Sequence, residues 1–356
     1  MKFNEISFSK NNTEANRHIV EKRVGEFNMT LDLSSEGISK VLYHNGIRER
    51  VFMSVLHSEI DPGDVCIDLG SNIGYTTLYM CEKAGNSGKV YAIEPDPWNV
   101  NLLRINLKNN NYDKISEVFP IAISDSTGEI EFWTSSKSNL SSVQKTKHSE
   151  SCIKVKCFSL NDFLEDKKYP NFIKMDIEGH EVKVFEGGLD YFSKNTGRTK
   201  ILLEVHPQFY NKDNDFEKIL KEYFKLGFSN KYVVATPIPS PKKFVQAGYK
   251  PIAEIPTDGF VRGLYGPISN NDLLDFIMIP IENSTGGSIY INYDMFYKYN
   301  IIIHHELTSQ INHTLYCNAS ANKNDLKYIL SHPQAIAQCT NNIKSNNWEQ
   351  INSWDT

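Results

Sequence analysis

The sequence predicts an α/β fold in which helices cover both faces of a doubly wound, mostly parallel sheet. Three observations support this prediction. Short apolar strands alternate with amphipathic helices over about 200 residues. The first such strand runs into an acid and a glycine-bearing loop that opens a helix. No internal repeat is visible. Crossovers between the parallel strands are expected to be right-handed.

In the first half, residues 41–60 have helical spacing and stop at the turn sequence DPGD. The next segments are predicted as strand, helix, strand, helix and strand in that order, over residues 65–69, 75–84, 88–95, 98–110 and 118–124. Residues 128–135 and 152–159 then alternate with period two, which predicts a β-hairpin inserted into the fold. The serine- and lysine-rich stretch between them is predicted to be a surface loop.

The alternation resumes after the hairpin. Residues 171–179 form the fourth predicted strand and 199–206 the fifth, with helices at 181–192 and 215–228 and a short strand at 231–235. Residues 272–280, DLLDFIMIP, are suited to be a final strand. The character of the sequence changes after Asp275.

Composition restricts the class of protein. With 40% hydrophobic and 23% charged residues the chain resembles globular proteins, and its net charge of −5 argues against a general nucleic-acid binder. No apolar run reaches the 18 residues of a membrane span, and the polar first twenty residues lack the apolar region of a signal peptide. We therefore expect a cytoplasmic protein without membrane insertion.

The six cysteines form no CxxC pair and no zinc-type spacing, so we expect free thiols. Cys152 and Cys157 are five residues apart on a predicted strand and should point to opposite faces.

The loop after the first strand, Gly70-Ser-Asn-Ile-Gly74, indicates the ligand class. A dinucleotide fold needs a second glycine where the backbone approaches a pyrophosphate, but Ser71 and Asn72 occupy that part of the loop. A carboxylate at Glu94, after the second strand, can accept both hydrogen bonds of a ribose diol. Asp68 and the loop amides suit an ammonium and a carboxylate. These requirements describe S-adenosyl-L-methionine; the alternative is an α/β fold with ordinary turn glycines.

Five segments together resemble the FkbM family of S-adenosylmethionine-dependent O-methyltransferases: DLGSNIGYTTL, AIEPDPWNVNLLRINLKNN, AISDSTGEIEF, FIKMDIEGHEVKVFEGG and ILLEVHP. The resemblance covers residues 46–277 and leaves 1–45 as an N-terminal extension. It implies a Rossmann-like fold of the class I methyltransferase type, and methylation of a hydroxyl on a sugar or similar small molecule. No nucleic-acid partner is expected.

The resemblance also implies roles for residues of the donor site. Four of them, Asp68, Gly70, Asn72 and Gly74, would line the methionine end, and Glu94 would bind the ribose. Ala122, Ser124 and Asp125 would lie near the adenine. The serine–lysine loop is where such a fold can vary its acceptor specificity.

Catalytic candidates stand where the fourth and fifth strands end, because ligands of doubly wound sheets bind at that edge. Asp176 is predicted to border donor and acceptor. His180 and His206 are the candidate bases, and Glu204 is expected to share a face with His206. A base would contribute about 10²–10⁴-fold.

Three alternatives remain open for this cluster. Glu178 and Glu181 also suit the start of a helix, whose dipole favours acids. Either histidine can be structural. A divalent cation could also bind to the whole set, which consists of Asp176, Glu178, His180, Glu204 and His206. No spacing among these residues demands one, so we expect no metal.

The end of the chain resembles prephenate dehydratase through the motifs PIENSTGGS and SHPQAIAQC. The matching residues of that family's substrate cleft are Glu282, Asn283, Ser284, His332 and Gln334. Residues 278–356 are therefore expected to form a partial α/β lobe. The family's Thr-Arg-Phe motif is absent from the sequence, and one incomplete lobe cannot enclose a substrate. We expect no dehydratase activity; the alternatives are an active dehydratase, or a non-catalytic fusion or binding module.

Overall fold

The structure is a computed structural model. It describes residues 17–34, 37–135, 141–146, 149–195, 199–206, 209–235, 244, 247–257, 260–275, 282–283, 287–288, 327–331, 340–346 and 348–352. The chain divides into two compact units, Met1–Ile277 and Met278–Thr356. None of the helices in the described part is long and apolar enough to cross a membrane.

A five-stranded parallel sheet forms the centre of the first unit. Its strands are β3 (Val65–Leu69), β4 (Lys89–Ile93), β5 (Ser116–Phe119), β9 (Phe172–Met175) and β10 (Lys200–Leu203). They lie in the order β10-β9-β3-β4-β5, and every neighbouring pair is parallel. Strands are added in one direction from β3 to β5 and in the other from β9 to β10, so the order reverses between β3 and β9, and the carboxyl ends of these two strands border one crevice.

Helices cover both faces of this sheet, as the sequence predicts. On one face lie α1 (Ile38–Asn45), α2 (Arg50–Glu59), α3 (Tyr75–Ala84) and α4 (Pro97–Asn109); on the other lie α5 (Leu160–Leu164), α6 (Glu181–Lys194) and α7 (Phe216–Lys225). Successive strand residues serve opposite layers: Cys66 belongs to the first core cluster and Ile67 to the second. The Rossmann-like α/β fold is therefore confirmed.

The predicted N-terminal extension contains structure that packs into the first core. Strands β1 (Ile19–Val24) and β2 (Phe27–Asp32) form an antiparallel hairpin. Phe27, Met29 and Leu31 are buried with α3 and α4. The single helical stretch predicted over residues 41–60 is two helices, because Gly46 ends α1 in the left-handed conformation.

The inserted hairpin is confirmed, with β7 (Gly128–Ser135) antiparallel to β8 (Ser149–Ser159). Cys152 is exposed and Cys157 is buried, as alternation along a strand requires. The predicted third strand is divided: β5 stays in the central sheet, whereas β6 (Ala122–Ser124) pairs in parallel with β8. Pro120 lies between them and has no backbone N–H to continue the ladder.

The end of the unit matches the sequence prediction only in part. The short strand predicted at 231–235 is confirmed as β11 (Val233–Ala235), which joins a separate antiparallel sheet in the order β11-β13-β12. The sequence does not predict its partners β12 (Pro251–Thr257) and β13 (Phe260–Tyr265). The final strand predicted at 272–280 is wrong for residues 272–275, which belong to helix α8 (Asn270–Asp275), and residues 276–280 lie outside the described residues.

The described part of the second unit consists of short elements. Strands Glu282–Asn283 and Gly287–Ser288 pair antiparallel, strands Tyr328–Ser331 and Glu349–Asn352 pair in parallel, and a helix spans Thr340–Ser345.

Candidate functional site

A cleft opens at the carboxyl ends of β3, β4, β9 and β10, where a doubly wound sheet binds its ligands. Its empty volume is about 1090 Å³, counted with its open mouth. Loop, strand-end and hairpin residues form the wall: Leu69 to Asn72, Ile93 to Pro95, Ile121 to Ile123, Phe132, Ser141, Val143, Lys174, Asp176 to Glu178, His180, Val184 and Glu204.

The glycine loop is a narrow turn. Gly70 has φ 78° and Asn72 φ 48°, in the left-handed region that side chains rarely adopt. A Cβ on Gly70 would lie 1.9 Å from the backbone oxygen of Asp176. The absence of a side chain at Gly70 thus lets the first loop lie directly against the end of β9.

Glu94 connects this loop to the second strand. Its Oε2 accepts the backbone N–H of Asn72 at 2.8 Å, and its Oε1 accepts that of Asp96 at 2.9 Å. The residue is 5% exposed and faces the cleft. Burial, with the nearby charge of Asp96, raises the pKa of Glu94 to about 8. The side chain of Asn99 also hydrogen-bonds the Glu94 carboxyl.

Asp68 lies behind the loop and is fully buried. Contrary to the expectation from the sequence, it does not line the cleft. Its Oδ2 accepts the hydroxyls of Thr76 and Thr77 at 2.8 and 2.6 Å. Lys174 Nζ lies 3.1 Å from its Oδ1 and donates to the backbone oxygen of Gly70 at 2.8 Å. Asp68 therefore positions the loop and Lys174.

The predicted adenine end is an apolar pocket beside β6. Ala122 lines it, together with Ile121, Ile123 and Val184. Ser124 and Asp125 lie behind this wall, and Asp125 pairs with Lys183 at 3.3 Å.

His180 belongs to this end and not to the catalytic cluster. Its Nε2 lies 3.0 Å from Ser124 Oγ, and burial lowers the pKa of the ring to about 4. The structure thus separates the two candidate bases.

Three of the predicted catalytic residues do come together. Asp176, Glu204 and His206 each place one ligand atom within 4.8 Å of the others. Glu178 Oε2 lies 3.5 Å from His206 Nε2, and Asp176 Oδ1 lies 3.8 Å from it. We call Asp176, Glu178, Glu204 and His206 the acceptor cluster.

His206 is held from behind by a buried acid. Its Nδ1 lies 2.9 Å from Glu181 Oε1, and Tyr210 donates to the other oxygen of Glu181 at 3.2 Å. Burial alone would lower the pKa of His206, but the hydrogen bond to Glu181 and the charges of Glu181, Glu178 and Asp176 raise it to about 9. β10 ends at Leu203, so Glu204 and His206 converge through the turn that follows the strand.

Glu178 has φ 53°, a strained conformation for a residue with a Cβ. Burial and the charges of Asp176 and Glu181 raise its pKa to about 7, against the opposing charge of His206. Ser142, in the segment between β7 and β8, donates from Oγ to the backbone oxygen of Glu178 at 3.0 Å. The inserted hairpin therefore meets the cleft at the acceptor cluster.

Sequence reasoning missed several lining residues. Arg48 and Glu49 stand at the rim, with Arg48 Nε 2.5 Å from Glu49 Oε1, and no motif marks them. Lys174 gave a signal: it interrupts a buried strand, and lysine is almost never fully buried unless paired.

Two of the five dehydratase-like residues lie in the part of the chain that the structure describes. Glu282 and Asn283 lie on a two-residue strand, whereas Ser284, His332 and Gln334 lie outside the described residues.

The first unit is a Rossmann-like α/β domain with a cleft at the carboxyl ends of its parallel strands. Residues 68–229 match the family model of the methyltransferase FkbM domain. Residues 267–356 match the family model of prephenate dehydratase.

Solved structures and curated proteins resemble different parts of the chain. The methyltransferase FkbM of Methylobacillus flagellatus covers 60% of this chain and 50% of its own, at 15% identity and TM-score 0.35. An arogenate/prephenate dehydratase of Arabidopsis thaliana is 46% identical over 20% of this chain and 19% of its own length. The prephenate dehydratase of Methanocaldococcus jannaschii is 41% identical over 25% and 31%. The chain spans less than a third of the length of these two curated relatives.

Proposed function

We propose that the first unit binds S-adenosyl-L-methionine and methylates a hydroxyl oxygen of a sugar or similar small molecule. The observation that carries this proposal is Glu94, a buried carboxylate that faces the cleft and binds the glycine loop through the Asn72 N–H. A ribose diol at this point would donate hydrogen bonds to the carboxyl oxygens, whereas an ionised pyrophosphate has no proton to donate to them.

The residues present fit the donor. The apolar pocket of Ile121, Ala122 and Ile123 suits an adenine ring. The Gly70 loop lies directly against the backbone of Asp176. Because Gly70 has no side chain, its backbone groups stay accessible next to the ribose site. Asp68 and Lys174 hold the loop through an ion pair and a hydrogen bond to the Gly70 carbonyl, so this part of the site is formed before a ligand arrives.

When bound, S-adenosyl-L-methionine supplies a methyl group that forms a bond to the acceptor oxygen, while the electron pair of the broken C–S bond stays on sulfur. The chain's task is then alignment and removal of one proton. The acceptor cluster is suited to both, because its carboxylates accept hydrogen bonds from hydroxyls and can take the proton. The segment around Ser142 borders this end of the cleft through its hydrogen bond to the Glu178 backbone.

A polyhydroxylated acceptor fits the cluster best. Asp176, Glu178 and Glu204 present several carboxylate oxygens within one small region of the cleft wall. A sugar offers adjacent O–H donors to match these oxygens, whereas a substrate with a single hydroxyl would leave some of the carboxylate oxygens without a hydrogen-bond donor.

The test is methyl transfer from S-adenosyl-L-methionine carrying a radiolabelled methyl group to a panel of free and nucleotide-linked sugars. We expect the label in a base-stable ether, and reduced transfer to the corresponding deoxy sugars. Label found only in esters or amines would contradict O-methylation, and label in none of the panel would contradict the sugar class.

The match to prephenate dehydratase makes a lyase the second candidate. We propose that residues 267–356 by themselves do not catalyse that reaction, because they contain no Thr-Arg-Phe motif. Incubation with prephenate should give no phenylpyruvate above the uncatalysed background. Sustained phenylpyruvate formation would contradict this.

A further inference from the structure

The carboxyl ends of β9 and β10 bring three metal-ligating side chains together. One carboxylate oxygen of Asp176, one of Glu204 and a ring nitrogen of His206 all lie within 4.8 Å of one another. In an octahedral site with bonds of about 2.1 Å, opposite ligand atoms are about 4.2 Å apart. Small side-chain rotations therefore suffice to place all three atoms around one ion.

The orientation of His206 suits a ligand. Its Nδ1 is held at 2.9 Å by Glu181, which is fully buried, and the backbone N–H of His206 donates to Tyr210 Oη at 3.0 Å. A carboxylate on one ring nitrogen fixes the imidazole and raises the basicity of the other nitrogen, an arrangement typical of metal-bound histidines. Nε2 is the nitrogen that faces Asp176 and Glu178.

The surroundings are rich in negative charge. Asp176, Glu178 and Glu204 face the same part of the cleft, and Glu181 lies behind His206. Four carboxylates thus surround one imidazole. Bringing carboxylates this close costs free energy unless a cation lies among them.

We propose that Asp176, Glu204 and His206 bind a divalent cation, of the Mg²⁺ or Mn²⁺ type, at the acceptor end of the cleft. The inference rests on the proposed methyl transfer and extends it. Two carboxylate oxygens and one nitrogen leave coordination positions open, and the carboxylate majority of the set suits Mg²⁺ or Mn²⁺. Two adjacent hydroxyls of the acceptor fill two open positions, so the ion selects vicinal diols and favours the ionised form of the attacking oxygen.

The sequence alone predicts no metal at its five candidate ligands. The proposed site uses three of these five residues, Asp176, Glu204 and His206. His180 does not belong to it, because its ring is paired with Ser124. Glu178 stays close enough to His206 Nε2, at 3.5 Å, to bind a water on the ion.

The test uses the full chain after treatment with a chelator and exhaustive dialysis, without donor or acceptor. Mn²⁺ is titrated in, and free Mn²⁺ is measured by electron paramagnetic resonance. We expect one equivalent to bind. The Glu204→Gln and Asp176→Asn variants should bind at least about tenfold more weakly, and Glu181→Gln about 10–100-fold more weakly through the imidazole. Glu165→Gln, an exposed carboxylate on the same unit, is the matched control and should equal the parent.

S-adenosylhomocysteine binding, measured in parallel, verifies that each variant is folded and separates the two proposals. Parent protein that binds S-adenosylhomocysteine but no Mn²⁺ overturns the cation site and leaves methyl transfer standing. Binding of Mn²⁺ that is unchanged in Glu204→Gln and in Asp176→Asn also overturns it. One equivalent that is lost in these variants supports it, even if S-adenosylhomocysteine does not bind to the parent.

Discussion

At the residue scale, we expect Glu94 to couple ligand binding to proton release. In the protein without ligand the pKa of Glu94 is about 8, so the buried carboxyl is largely protonated near neutral pH. A ribose diol donates two hydrogen bonds and therefore favours the ionised carboxylate, which lowers the pKa in the complex. Binding below pH 8 must then expel a proton.

We predict that the affinity for S-adenosylhomocysteine rises with pH between about 6 and 8, by up to about tenfold per unit, and becomes constant above about 8. Isothermal titration calorimetry across this range, in buffers of differing ionisation enthalpy, measures both the affinity and the proton released.

The Glu94→Gln variant is the control for this prediction. An amide cannot ionise, so its affinity should be independent of pH and about 10–100-fold weaker than that of the parent above pH 8, the value of two hydrogen bonds to a charge. A parent affinity that falls as pH rises toward 8 would contradict the account.

Gly70 is the second residue with a sharp prediction. Gly70→Ala places a Cβ 1.9 Å from the Asp176 backbone oxygen and adds the cost of a left-handed backbone, about 1–2 kcal/mol. We expect at least about tenfold weaker binding of S-adenosylhomocysteine, because the loop must move away from β9. Gly227→Ala also has positive φ but meets nothing within 4 Å, so it should lose stability without losing affinity. Equal binding by the two variants would contradict the role given to the close approach.

The sequence identifies which residues are candidates for the site better than it assigns their roles. It marked Asp68 and both histidines, but Asp68 lies behind the loop and His180 lies beside Ser124. These outcomes depend on packing between segments more than 50 residues apart, such as His180 with Ser124, which no local pattern encodes. Glu204 and His206 came together as expected, although through a turn and not along a strand.

At the scale of elements, a buried ion pair joins β3 to β9. Lys174 and Asp68 have side-chain exposures of 3% and 0%. The Lys174→Met variant leaves the carboxylate of Asp68 without its cation in the interior, and we expect it to lower the free energy of unfolding by about 3–5 kcal/mol. Urea denaturation followed by circular dichroism measures this.

The double variant Lys174→Met, Asp68→Asn is the matched comparison, because it removes both charges. It should regain part of the lost stability, so that the two changes are not additive. If each single substitution lowers the free energy of unfolding only slightly and the two effects add in the double variant, then the ion pair does not stabilise the contact between the strands.

Elements with a complete local signal were predicted within a few residues. β3 and α3 occupy the predicted ranges, because an apolar strand ends at a glycine turn and a helical pattern begins directly after it. The second sheet was not predicted, since β12 contains Pro251 and Pro256 and pairs with β13 through an irregular register. Proline in a strand pattern argues against a strand, and tertiary pairing overrides that preference.

At the scale of the whole molecule, every described residue that lines the cleft belongs to the first unit. Its described lining residues lie between Ile38 and Glu204, far in sequence from the second unit at Met278–Thr356. Deleting residues 278–356 should therefore leave the affinity for S-adenosylhomocysteine within about twofold of the parent. A loss of tenfold or more would show that the second unit contributes to the cleft.

The account's central claim is that the cleft holds an adenosyl thioether nucleoside with its ribose on Glu94. A crystal structure of the chain with S-adenosylhomocysteine tests it most directly. We predict ribose oxygens within about 2.6–3.2 Å of the Glu94 carboxylate, adenine against Ala122, and sulfur facing Asp176. A nucleoside bound elsewhere, or turned so that Glu94 meets no hydroxyl, would contradict the claim.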